Sequence, residues 1–61
     1  MAKVKVNNVP DYAKNSNYLV VRKSDGEYWF WGAWDDRESA DKIASAIGGY
    51  VVENEGVEND L

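Results

Sequence analysis

Hydrophobic and polar positions alternate at the start of the chain, in Lys3-Val4-Lys5-Val6. Period-two alternation marks a half-buried strand, with the Val pair inward and the Lys pair in water. Lysines of this kind suit a strand at a sheet edge. From Asn7 to Asn17 the periodicity stops at Pro10 and a set of Asn residues, which reads as a loop with a turn at Pro10-Asp11. Val9 and Tyr12 are its candidate anchors to the core. Tyr18-Leu19-Val20-Val21-Arg22-Lys23 is β-branched and aromatic, as a strand requires. Asp25-Gly26 follows, a pair that accepts positive φ at both central positions of a tight hairpin turn. The returning strand runs from about Tyr28 to Trp34.

The period then changes to 3.6. Ala40, Ile43, Ala44 and Ile47 fall on one helical stripe. Asp35 is the expected N-cap, with Glu38 three residues later as in a capping box. Gly48-Gly49 ends the helix. Tyr50-Val51-Val52 reads as a last strand, placed by a right-handed crossover parallel to a hairpin strand. Glu53 to Leu61 carries four acids and no base, so it is expected to be largely unpacked. The expected architecture is α+β: a three- or four-stranded sheet with one helix on one face. One domain spans 1–54, and 55–61 form a disordered acidic tail.

A two-residue hairpin loop pairs Lys23 with Tyr28, Val21 with Phe30 and Leu19 with Gly32. Leu19, Val21 and Phe30 then suit the helix stripe at Ile43 and Ile47, and Gly32 admits the Ala-rich part of it. The opposite face carries Tyr18, Val20 and Arg22 with Trp29, Trp31 and Ala33. It is expected to be open, because one helix covers one face. An alternative is that the Asn7–Asn17 loop covers it as a second small core, with Arg22 over Trp29 as a cation–π pair.

Composition sharpens this picture. The chain has 61 residues, 44% hydrophobic and 13% aromatic, with no Cys and no His. The expected activity is therefore neither thiol nor imidazole chemistry, and no metal or cofactor is expected. Ser residues have no His to activate them, and Asp35 and Asp36 are adjacent on a helix and do not face each other. Glu38–Lys42 and Arg37–Asp41 are ordinary i, i+4 pairs. The acids around Glu53–Gly56 lack the spacing of a calcium loop. The expected class is non-enzymatic. The longest apolar run, Tyr28 to Trp34, is far below the roughly 20 residues of a membrane span. No leader is evident, and the default location is cytoplasmic.

Net charge is −4, unevenly spread. Residues 1–24 hold five bases against Asp11, and residues 25–61 hold Arg37 and Lys42 against ten acids. Such asymmetry bears on association. Two candidate binding surfaces follow. One is the aromatic sheet face of Tyr18, Arg22, Trp29 and Trp31, a hot-spot composition. The other is the acidic helix start, Asp35, Asp36 and Glu38.

Residues 27–47, from Glu27-Tyr28-Trp29-Phe30-Trp31 through Gly32-Ala33-Trp34-Asp35-Asp36 into the Ala-rich helix, resemble the end of the ethylene-response-factor type DNA-binding domain. That resemblance implies a sheet that reads nucleic acid, with Arg22, Trp29 and Trp31 at the corresponding positions. The whole chain is similar in style to small acidic accessory proteins of bacteriophages and other mobile elements. That resemblance implies a module that binds and modulates or inhibits a bacterial host protein, in some cases as an acidic mimic of nucleic acid. Three expectations stand together at this point: a protein-binding module, a sheet-type nucleic-acid binder, and a self-associating homodimer that uses the aromatic face.

Overall fold

A computed structural model describes residues 4–58. The fold is α+β. Four strands, β1 (Val4–Asn7), β2 (Tyr18–Ser24), β3 (Glu27–Trp34) and β4 (Tyr50–Glu53), form a mixed sheet with one helix, α1 (Arg37–Ile47). A two-residue strand, β5 (Val57–Glu58), joins the outer side of β1 and gives the order β4-β2-β3-β1-β5. β2 pairs antiparallel with both β3 and β4, and β1 pairs parallel with both β3 and β5. The crossover through α1 therefore brings β4 to run in the direction of β3, with β2 between them. β1 is not the edge strand that its lysines suggested, since β5 lies beyond it. Lys3 is outside the described residues.

The hairpin forms as its turn residues dictate. Asp25 has φ 54° and Gly26 φ 79°, and Ser24 pairs with Glu27 across the turn. Lys23↔Tyr28 and Val21↔Phe30 follow, and then the register slips: Val20 pairs with Gly32 and Leu19 with Ala33. Trp31 is the extra residue of a β-bulge. The expected Leu19–Gly32 pairing is thus corrected by one residue. The bulge turns Gly32 to the side of Val20 and Ala33 to the side of Leu19. A glycine inside a strand is a recognised sign of such a bulge or of a close approach. Both apply here, because a methyl placed on Gly32 would overlap the Trp34 ring.

The side on which the helix packs is also a correction. Ala40 and Ala44 are buried with Val20, and Tyr18, Trp34, Ile43, Ile47 and Val51 pack around them. α1 therefore covers the Tyr18–Val20–Arg22 side and not the Leu19–Val21–Phe30 side. Its stripe of Ala40, Ile43, Ala44 and Ile47 is as the periodicity requires, and Gly48 closes the helix with φ 70°. The other side holds Leu19, Val21, Val6, Ala13 and Val57, flanked by Val4, Val9, Tyr28, Phe30, Ala33 and Val52.

The cover of that second side comes from two segments read as irregular. Asp11–Asn15 is a 3₁₀ turn that buries Ala13 completely. Tyr12 stays 67% exposed but sets its ring edge-on to Phe30 at 6.1 Å. Ala13 is the completely buried anchor, and Val9 packs against the same core as expected. The second segment is the expected tail. Asn54–Gly56 is a 3₁₀ turn, and Val57 is only 5% exposed. Val57 is therefore buried and Asn54 half-buried, contrary to the expectation, while Glu53 and Glu55 stay exposed and 59–61 lie outside the described residues.

Asn54 joins the two segments. The two hydrogens of its Nδ2 are shared among the carbonyl oxygens of Ala13 (3.3 Å), Lys14 (2.9 Å) and Ser16 (2.6 Å), and its backbone N–H donates to Asn17 O at 3.0 Å. Three carbonyls leave the amide one sensible orientation, with the nitrogen toward them. Asn17 in turn donates from Nδ2 to Asp35 O at 3.1 Å. The loop is thus tied both to the C-terminal segment and to the end of β3.

Asn54→Ala leaves three carbonyls without this donor, and is expected to cost roughly 1–3 kcal/mol in a urea titration. Deletion of residues 55–61 removes the buried Val57 and is expected to cost about 1.5–3 kcal/mol, a fall of several degrees in Tm. An unchanged melting curve for the deletion would show that the C-terminal segment carries no stability.

Candidate functional site: an uncovered half-face beside the helix

One helix is about 10–12 Å across, while four strands spaced about 4.8 Å apart span roughly 14 Å between the outer axes alone. α1 lies mainly over β2 and β4. The same side of the sheet is therefore uncovered toward the hairpin end of β3. Trp29, opposite Arg22, is 37% exposed there, and Trp31 is 46% exposed. Arg22, Lys23, Ser24, Trp29, Phe30 and Trp31 line one shallow groove.

Each tryptophan has a distinct setting. Trp34 is half-buried against the helix cluster and lies over Gly32. Trp31 stacks on Trp34, ring centroids 6.4 Å apart and 12° from parallel. The bulge brings these two residues, three apart in sequence, onto the same side. The stack anchors the Trp31 indole and leaves its outer side to solvent.

Tyr18, Arg22, Trp29 and Trp31 do share a side, but not one site. Tyr18 is half-buried in the helix cluster, opposite Trp34 and Glu53. It sits four residues along β2 from Arg22, about 13 Å away. The alternative cover by the Asn7–Asn17 loop does not form on this side, because that loop packs on the other. The cation–π contact likewise belongs to Lys23, 5.8 Å from the Tyr28 ring centroid, and not to Arg22 over Trp29.

The acidic candidates stand beyond the far end of β3. Asp36, one residue later than expected, is the N-cap, and its Oδ2 accepts from the Ser39 N–H at 2.8 Å. Ser39 occupies the third helical position, so no Asp35–Glu38 capping box forms. Glu38 pairs with Lys42 at 3.6 Å and Arg37 with Asp41 at 3.7 Å, both well exposed. Asp35 is exposed and is held through its backbone carbonyl. The Ser39 backbone N–H, followed by the Ser39 side chain, holds the Asp36 carboxyl below its ordinary 3.8. That shift comes from helix capping.

The surface missed by sequence reasoning is on the second side. Tyr50 is exposed and sets its ring edge-on to Tyr28 at 5.9 Å. The register of β4 on Val21 makes this contact, and nothing local in the sequence signals it.

Among the described residues, no helix is long and apolar enough to cross a membrane, and no three His, Cys, Asp or Glu residues gather to hold a metal ion. No family model, curated protein or solved structure shows detectable similarity to this chain.

Phe30→Ala removes a half-buried ring from between Tyr12 and the second core, at an expected cost of roughly 2–3 kcal/mol. Trp31→Ala loses one stacked pair, about 0.5–1.5 kcal/mol, and stays folded. Denaturation curves that reverse this order would show that Trp31 is the structural residue. For Asp36 the depressed pKa means that its contribution is present above the unfolded value and drains away as pH falls through it toward the folded value. Asp36→Asn caps without titrating, so the stability of the wild type relative to this variant should fall below about pH 4. A difference that stays constant down to low pH would contradict the capping role.

Proposed function

We propose that this protein is a non-enzymatic binding module that docks on another protein through the half-face of Arg22, Trp29 and Trp31. The observation that carries this reading is the pair of partly exposed indoles beside Arg22, on a sheet side that the helix is too narrow to cover. Large aromatic and Arg side chains on a rigid element release water on contact and lose little entropy, so they dominate interface energies. The stack on Trp34 adds to this by limiting the freedom Trp31 has to lose. In keeping with the likeness to accessory proteins of mobile elements, the partner is a bacterial host protein.

The sheet-type nucleic-acid reading has less support. Phosphate contacts dominate nucleic-acid affinity. Arg37 and Lys42 already pair with acids on the helix, and the net charge is −4.

Affinity capture from a bacterial lysate, with the full chain and Trp31→Ala side by side, tests the proposal. The captured protein should bind the variant roughly 30-fold more weakly, equal to about 2 kcal/mol, while the variant melts within a few degrees of the wild type. Equal capture by Trp29→Ala, Trp31→Ala and the wild type would overturn it. So would stronger, steeply salt-dependent binding to a single-stranded oligonucleotide.

A further inference from the structure

We infer that β4 is the pairing edge of a symmetric dimer: β4 of a second copy of this chain adds to it antiparallel and continues the sheet across a two-fold axis. This edge lies apart from the half-face of Trp29 and Trp31, so the inference stands on its own.

The hairpin fixes which backbone groups of β4 are free. Ser24 and Glu27 flank a two-residue turn and exchange the hydrogen bonds of a closely bonded pair. Alternation along β2 then aims Arg22 and Val20 at β3, and Val21 and Leu19 at β4. Their partners on β4 are Tyr50 and Val52. The Asn54 N–H on Asn17 O at 3.0 Å continues the same series. The N–H and C=O groups of Val51 and Glu53 therefore point away from the sheet, and no described residue bonds them. Gly49 shares their phase. Its N–H donates to Ala44 O at 2.8 Å, which leaves its carbonyl to offer.

Nothing guards this edge. The opposite edge ends in β5, which is too short to template a strand. β4 pairs with β2 over its whole length, and it carries no Lys, no Pro and no bulge, the devices that blunt an edge. Tyr50 stands at its start, 52% exposed.

The residues of β4 fit a second copy in one register. Outward groups must meet outward groups. Glu53 opposite Glu53 sets acid against acid, and Val51 opposite Glu53 carries Tyr50 past the strand end to Asn54. Val51 opposite Val51 avoids both. Glu53 then faces Gly49 of the second copy and donates its N–H to the free carbonyl there. Tyr50 faces Val52 of the second copy in a non-hydrogen-bonded pair, where side chains are closest and aromatic with β-branched residues pair well. Both lie on the second side, so the Tyr50 ring covers a valine that is half-buried in the single chain. The two helices, each over β2 and β4, stand about 10–15 Å apart across the axis and clear each other.

Sedimentation equilibrium of the full chain reads the dimer, and amide hydrogen exchange reads the edge. The pairing is short, so Kd is expected on the order of 100 μM. Added salt should tighten it, because two copies of net charge −4 repel. As concentration rises, the Val51 and Glu53 amides should gain protection, while Tyr50 and Val52, already bonded to β2, change less. Tyr50→Lys and Val51→Pro should each weaken the dimer by about tenfold or more, and Trp31→Ala should leave it intact. Should Val51→Pro fail to melt cooperatively, Tyr50→Lys and the exchange of the wild type read the same edge. A monomer up to about 1 mM would overturn the inference. So would a dimer that Trp31→Ala dissolves and Tyr50→Lys does not, or Val51 and Glu53 amides whose exchange ignores concentration. Protection of these two amides by a captured partner, in a chain that stays monomeric, would also overturn it and assign the edge to a partner strand.

Discussion

Leu19, Val20 and Val21 are consecutive and all completely buried. Neighbouring residues on a strand point to opposite faces, so a strand with three such residues in a row must be covered on both sides. The described residues include one α-helix to do this. The chain meets the demand by placing α1 over Val20 and by folding the Asp11–Asn15 turn, together with the C-terminal segment, over Leu19 and Val21. Most of the architecture follows from that requirement, including the burial of Ala13 and of Val57.

A cover made from an irregular segment has a difficulty that a helix does not. Its backbone carbonyls are only partly satisfied internally, here by the Ser16 N–H on Ala13 O, and burying the rest unpaired is costly. Asn54 meets that difficulty, with one amide nitrogen serving three carbonyls of the turn. Residues 13–17 are thereby joined to a residue some 40 positions later. The second core closes only when both ends of the chain have arrived, which is a strongly non-local arrangement for so small a domain.

The uncovered half-face is the complement of this economy. With the second face sealed by the turn and the first sealed only where the helix reaches, Trp29 and Trp31 stay partly in water. Trp34 links the two regimes. It packs under the helix on one side and supports the Trp31 indole on the other, and the absence of a side chain at Gly32 gives it room. Stability and the proposed binding surface therefore share a residue, and the surface is anchored by the core.

Local pattern was enough for every feature whose cause is local. The Asp25-Gly26 turn, the helix stripe, the Gly48 cap, the i, i+4 ion pairs and the grouping of Arg22, Trp29 and Trp31 on one side all rest on residues close in sequence, where backbone preference and periodicity decide. The one-residue error at the helix start is of the same local kind, since Asp35 and Asp36 are both competent caps and the end of β3 chooses between them. Tertiary structure alone decided which apolar face took the helix. Leu19, Val21 and Phe30 are as hydrophobic as Val20 and Trp34, and the choice depends on the path of the crossover to β4. The bulge at Trp31 was signalled only by Gly32, whose meaning depends on where the Trp34 ring lies. The packing of Asn54 and Val57 carried no local signal at all. An acidic, sparsely apolar segment cannot order itself, and it becomes part of the fold here because three carbonyls and the open side of β1 are waiting for it.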